Sequence, residues 1–230
     1  MKISVIVPAF NEEKLLGASL AQIQTAATAF TRLGWEFELV VCDNNSTDRT
    51  SEIARNAGAK VVFEPFNQIG RARNSGAAAA TGDWFIFVDA DSHPSAELFA
   101  DVAEAIRSGN VIAGGSTMRL DEGNFAANFV TQGWNLTSRF KKWLAGSFIF
   151  ITAAAFRELG GFNPEIFAAE ELELSQRLKK IAAAHGKKMV ILHRHPLITS
   201  ARKIKLYSSG ELCRFFLKSI FSHKRTVRSR

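Results

Sequence analysis

Four short, nearly continuous apolar runs, residues 3–7, 37–42, 60–63 and 84–88, recur along the first part of the chain, with helical spacing between them. Runs of this length read as strands, and strands without polar alternation are buried on both faces. Strands and helices taken in turn predict an α/β fold with a mostly parallel central sheet and helices on both faces. The first helix is expected to start at Asn11, a capping residue type, with Glu12 and Glu13 in the first turn where the dipole favours carboxylates. Its apolar face would run through Leu20 and Ile23 to about Phe30. A second helix is expected around Ile53, and a small-residue helix over 70–80.

The second half is less regular. Residues 111–115 and 189–192 read as strands, 124–144 and 170–184 as helices, and 160–164 as a turn. The longest apolar stretch, 143–156, is too short to span a bilayer. Residues 206–221 read as a basic amphipathic helix. With 230 residues, 47% of them hydrophobic, the chain can bury one sizeable core, and its composition excludes a disordered or low-complexity protein. The expected organisation is one domain over 1–205, with a nucleotide-binding half to about 115 and an acceptor half from 116, followed by a tail over 206–230. The two cysteines, Cys42 and Cys213, exclude a disulfide framework and a Cys-rich zinc site. They fit a reducing, cytoplasmic compartment. The first residues lack the pattern of a secretory leader.

The net charge of +7 is unevenly spread, since Glu211 is the only acidic residue from Gln176 onward. A basic C-terminal third suits an anionic partner, either phosphates or an anionic membrane face, or is simply a solvated surface. No nucleic-acid motif accompanies it, so nucleic acid is not the expected partner.

In open α/β sheets ligands bind beyond the carboxyl ends of the strands, and the notable polar residues fall there. Asp89-Ala90-Asp91 follows the fourth run. Two carboxylates there suit Mg²⁺ or Mn²⁺ bridging to a diphosphate; the alternative is one helix cap and one solvated side chain. Asp43 ends the second run, placed to accept from a ligand N–H or to hold an Asx turn. Glu170 and Glu171 open a helix, where the dipole alone favours carboxylates, yet one of them could face a cleft as a general base. His193 follows the last run as a metal ligand, a phosphate contact or a structural side chain. No Ser-His-Asp order, Walker sequence or G-x-G-x-x-G occurs.

Taken in order, Val5 to Glu12, Asp43 to Asp48, Gly70-Arg71-Ala72-Arg73-Asn74, Asp89-Ala90-Asp91 and Gly160-Gly161-Phe162 followed by Glu170-Glu171 resemble family 2 glycosyltransferases of the GT-A fold, over roughly residues 3–180. The resemblance implies an inverting, metal-dependent transfer of one sugar from a nucleoside-diphosphate sugar, taken as a UDP-sugar, to a hydroxyl acceptor. It implies that Pro8, Ala9, Asn11, Glu12 and Asp43 hold the base and ribose, that Arg71 lies near the nucleotide, and that Asp89 and Ala90 lie by the ribose. Asp91 would bind the divalent metal, with His193 a second candidate. Glu171 matches the catalytic base, although the family's usual Glu-Asp pair is here Glu-Glu. The Gln-x-x-Arg-Trp motif of processive synthases is absent, which argues for single transfer. Arg194, Arg202 and Lys203 are candidates for stabilising diphosphate charge. If the basic helix lies on a membrane, the acceptor would be lipid-linked and the enzyme peripheral on the inner face. The competing classes are a nucleotidyltransferase and a non-catalytic nucleotide-sugar-binding protein.

Overall fold

The structure is a computed structural model that describes residues 1–122, 125–167 and 169–201. Its strands are β1 (Lys2–Ala9), β2 (Glu36–Asp43), β3 (Lys60–Phe63), β4 (Trp84–Val88), β5 (Ser92–His93), β6 (Val111–Leu120), β7 (Phe148–Thr152) and β8 (Lys188–Thr199). The helices are α1 (Leu16–Ala26), α2 (Thr28–Thr31), α3 (Thr50–Asn56), α4 (Ile69–Ala79), α5 (Ala96–Arg107), α6 (Phe125–Lys141), α7 (Ala153–Glu158) and α8 (Glu170–Ala184). The strands form one sheet in the order β3-β2-β1-β4-β7-β6-β8-β5.

The first four strands are mutually parallel, and their register sets Ala9 beside Asp43, so the carboxyl ends of β1 and β2 finish level. β7 then enters antiparallel to both β4 and β6, while β6 and β8 pair in parallel. The sheet is thus parallel over its first four strands and mixed in the rest.

Alternation along each strand divides the core into two layers. Val5, Val7, Ile86, Val88, Phe148 and Phe150 face the side covered by α1, α2 and α5. Ile6, Phe85, Phe87, Ile149 and Ile151 face the side covered by α4, α7 and α8. On that second side Phe156 lies 5.2 Å from Phe87 and 5.8 Å from Phe162, centroid to centroid. Each such buried ring contributes about 1.5–3 kcal/mol. Gly76 lets α4 approach the sheet, since a Cβ there would come within 2.6 Å of Ile6.

Two expectations change and one strand was not expected. Asn11 does not cap a helix: it takes a left-handed φ of 51°, and α1 begins at Leu16 and stops at Ala26. Asn tolerates that conformation because its short polar side chain bonds locally. β7 lies inside the apolar stretch 143–156, for which the sequence predicts no element, because periodicity there cannot separate a strand buried on both faces from a core helix. The last strand runs on through Thr199 rather than ending at Leu192, and the pairing shifts after Ser116↔Leu192 to Met118↔Leu197. The inserted run absorbs Pro196, which sits at a bulge without breaking the ladder. The expected helix over 206–221, with Arg202 and Lys203, lies outside the described residues. Among the described residues no helix is long and apolar enough to cross a membrane.

Candidate active site

Polar loops from the ends of β1 and β2 are pegged to each other. Asn11 Oδ1 accepts from the Thr47 amide at 2.8 Å, and the Asn11 amide donates to Ser46 Oγ at 3.0 Å. The Glu12 amide donates to Thr50 Oγ1 at 2.8 Å. Asp43, buried at the end of β2, accepts from the Ser46 amide at 3.0 Å, a side-chain bond to its own loop that reaches one residue further than the expected Asx turn. Asn44 Nδ2 donates to the carbonyls of Glu64 and Phe66, fastening the β2 loop to the chain after β3.

Between these loops and the end of β4 a cleft of about 350 Å³ opens, a size suited to a small ligand. Of the residues singled out from sequence, Pro8, Ala9, Glu12, Asp89 and Ala90 line it. Phe10, Asn44, Asn67, Gln68 and Ile69 line it as well and were not singled out. Asn11, Asp43, Arg71 and Asp91 stand outside that lining. Asn11 and Asp43 instead shape the loop that carries Asn44. Arg71 lies 4.9 Å over the Phe66 ring and donates to Gln68 Oε1 at 3.0 Å.

The organising cation is Arg73. It is 1% exposed, and its guanidinium donates to Glu170 Oε1 at 2.6 Å, Asp89 Oδ1 at 3.0 Å and the Gly146 carbonyl at 2.9 Å. It also sits 5.2 Å over the Phe162 ring. One side chain of α4 thereby joins the carboxylate after β4, the loop before β7 and the start of α8. Sequence reasoning chose Arg71 over Arg73. The available signal was Gly70, Gly76 and Ala77, small residues three and four positions away that mark the face of α4 packed against protein. Asn74, the next residue, accepts from the Phe162 amide at 2.9 Å and donates to its carbonyl at 2.8 Å. This clamp holds the Gly160-Gly161-Phe162 turn that leads to α8.

Glu170 and Glu171 differ in environment. Glu170 is buried and held by Arg73. Burial, reinforced by the charges of Glu170 and Asp89, pushes the Glu171 carboxyl up to about 7, against a smaller opposing pull from Arg73. A carboxyl poised near neutrality can exchange a proton at physiological pH.

Asp91 is 3% exposed, and its carbonyl accepts from the Ser200 amide at 3.1 Å, tying the loop to the end of β8. His193 lies apart, in the exposed run of β8 next to the register shift. Its neighbours Arg194 and His195 turn to Asp101 of α5, at 2.8 and 3.1 Å. Arg194 also pairs with Glu104, so that cation is already engaged. Among the described residues no group of three or more His, Cys, Asp or Glu gathers to cage an ion. One or two carboxylates at a strand end do fit Mg²⁺ or Mn²⁺, which take their remaining ligands from water and substrate phosphates.

The profile of Glycosyl transferase family 2 matches residues 4–159, more than half of the chain. The chain belongs to glycosyl transferase family 2. Among curated members of the family, a dolichol-phosphate mannosyltransferase of Pyrococcus furiosus is 35% identical over 124 residues, which cover 50% of this chain and 33% of that protein. A poly(ribitol-phosphate) β-N-acetylglucosaminyltransferase, TarS of Staphylococcus aureus, is 34% identical over 113 residues, 46% of this chain and 19% of its own. The matched part spans a third to about half the length of the first such relatives. Among solved structures, TarS residues 1–349 with UDP-GlcNAc aligns with a TM-score of 0.68 at 25% identity, covering 96% of this chain and 67% of that one. The mannosyltransferase PcManGT of Pyrobaculum calidifontis, solved with GDP-Man and Mn²⁺, aligns with a TM-score of 0.68 at 21% identity, covering 86% and 56%. The family 2 chain therefore has the GT-A type of fold that its motif order implies.

Proposed function

We propose that this family 2 chain transfers one sugar from a nucleoside-diphosphate sugar to a hydroxyl acceptor with inversion at the anomeric carbon. The observation that carries the reading is the junction at Arg73. It fastens the Asp89 carboxylate at the rim of the cleft to Glu170, which sets the neighbouring Glu171 at the same junction with its proton affinity near neutrality. The acceptor hydroxyl attacks the anomeric carbon from the face opposite the diphosphate, and the Glu171 carboxylate takes the hydroxyl proton. The cleft residues Pro8, Ala9, Glu12, Asp89 and Ala90 hold the nucleoside, with Asn11 and Asp43 fixing the loop and Arg71 beside it. Asp91 would hold a divalent ion, which when bound would neutralise charge on the leaving diphosphate. The UDP-GlcNAc bound by TarS and the GDP-Man and Mn²⁺ bound by PcManGT support the donor class, and a UDP-sugar is the first to test.

The test is thermal stability of the folded protein with UDP-, GDP- and TDP-sugars, each with and without Mn²⁺ or Mg²⁺. A ligand at 100 times its Kd stabilises by about 2.7 kcal/mol. One donor should stabilise the wild type in a metal-dependent way and leave Asp91→Ala unmoved. An equal shift for both proteins would remove Asp91 from the reading. Release of pyrophosphate rather than nucleoside diphosphate would turn the assignment to a nucleotidyltransferase. Donor binding without any product would turn it to a binding protein.

A further inference from the structure

Helix α6 is turned inside out. The side chains it buries against its own domain are small or polar: Ala127, Thr131, Asn135 and Ser138. The side chains it shows outward are large and apolar: Phe125 is 88% exposed, Phe129 70%, Leu136 70% and Phe140 82%. Their spacing of four, seven and four residues puts them on one helix face. At 150–250 Å² per aromatic side chain, the stripe exposes on the order of 500 Å² of apolar surface, as large as the largest patch on a typical monomer. The helix is also locked in this orientation. Asn135 accepts from the Met118 amide at 2.9 Å and donates to the Met118 carbonyl at 2.9 Å, gripping β6. Ser138 donates to the Trp143 carbonyl at 2.6 Å. Rolling α6 to bury its phenylalanines would break both attachments.

We propose that the chain's own C-terminal segment, residues 206–221, docks along this face as its cover. The described structure ends at Ala201, which is 3% exposed and packs in a small cluster with Leu120 and with Ala127 of α6. The Ala201 amide donates to Asp121 Oδ1 at 2.9 Å, so the exit point is anchored at the N-terminal end of α6. The next 29 residues start from that place. The five residue steps from Ala201 to position 206 can reach at most about 18 Å, which keeps position 206 within reach of the start of the stripe. A helix over 206–221 would be about 24 Å long, against about 22 Å from Phe125 to Phe140. Leu212, Phe215, Phe216 and Ile220 supply an apolar stripe of the complementary kind, while Arg214 and Lys218 lie off it. The remaining occupants of such a face are a second copy of the chain and an anionic bilayer, the latter suited to a tail with nine Lys and Arg against Glu211.

The natural Cys213 makes the proposal testable without any activity measurement. The other cysteine, Cys42, is fully buried in β2, and its thiol is pushed up to about 12, so it does not compete. Gln132→Cys places a thiol on the exposed α6 face between Phe129 and Leu136 and leaves the stripe intact. Gln22→Cys places one on the exposed face of α1 as a control. Dilute full-length protein is oxidised with diamide and mapped by non-reducing electrophoresis and mass spectrometry. The expected result is an intrachain disulfide from Cys213 to the α6 thiol, forming at least tenfold faster than to the α1 thiol, and slowed when Phe129→Ser and Phe140→Ser are added. Equal rates from both sites, or no intrachain product, would overturn the proposal. A disulfide found only between chains would overturn it in favour of a second copy. Loss of the intrachain product with sedimentation on phosphatidylglycerol vesicles, and not on neutral vesicles, would overturn it in favour of the bilayer.

Discussion

Replacing Glu171 by Gln should stabilise the protein, and only at one end of the pH scale. The folded protein raises this carboxyl from 4.5 to about 7, with burial the largest cause. A raised carboxyl favours folding at low pH, where the folded state keeps a proton that the unfolded state gives up. That contribution is fully present below about 4.5 and is lost as pH rises through about 7. At 1.36 kcal/mol per pH unit of displacement, the stability lost across the window is about 3 kcal/mol. Glutamine does not titrate and escapes the loss. Urea denaturation of the wild type and Glu171→Gln should therefore show a stability gap about 2 kcal/mol wider in favour of the variant at pH 8 than at pH 5. The same variant should lose kcat with little change in donor affinity, because a base acts only on the acceptor proton. Wild-type kcat/KM should rise with pH to a plateau above about 7, where the carboxylate is the populated form. A stability gap equal at the two pH values would refute the environment assigned to Glu171. A rate independent of pH between 5 and 8 would refute its role.

Arg73→Met leaves Asp89 and Glu170 beside a vacated cation site and should cost about 3–5 kcal/mol in urea denaturation; a loss below about 1 kcal/mol would mean that the two carboxylates find water instead. Gly161→Ala forces a side chain onto a φ of 76° and to within 2.5 Å of Asn74 Oδ1, so a loss of about 1–3 kcal/mol is expected, and a neutral variant would show that the turn relaxes. Asp43→Ala should weaken donor binding by about 1–3 kcal/mol in calorimetry. Unchanged affinity would confine Asp43 to its loop bond with Ser46.

The first half of the chain was readable because its signals are local. β3 and β4 run over the residues expected, and β1, β2 and α4 differ only at their ends, since apolar runs punctuated by polar loops leave few alternatives. Of the cleft residues, Asp89 and Ala90 followed from the rule that ligands gather at strand ends, and Pro8, Ala9 and Glu12 from the motif order shared with the family. What escaped depends on contacts distant in sequence. β7 pairs with β4 across more than fifty intervening residues, and nothing in Phe148–Thr152 itself announces that pairing. Arg73 looked like any helical arginine until Glu170 and Asp89 were brought to it. Asn11 carried a capping signal, but the Ser46 and Thr47 loop made a better offer to its polar atoms than its own helix did.

The antiparallel insertion of β7 also sets an order on how the protein matures. β1 to β4 are joined by short crossovers and can pair as soon as each successive unit is made. β7 pairs with β4 only after a further stretch of chain, residues 89–147, has been made and its closure entropy offset. The residues that complete the junction arrive with it or after it: Ser147, whose carbonyl takes the Asp89 amide; Gly146, whose carbonyl takes Arg73; and Glu170 beyond them. A nascent chain can thus hold all the cleft-lining residues while Arg73 still lacks two of its three partners. The Arg73 junction is therefore completed only with the docking of a five-residue strand made well after the cleft residues.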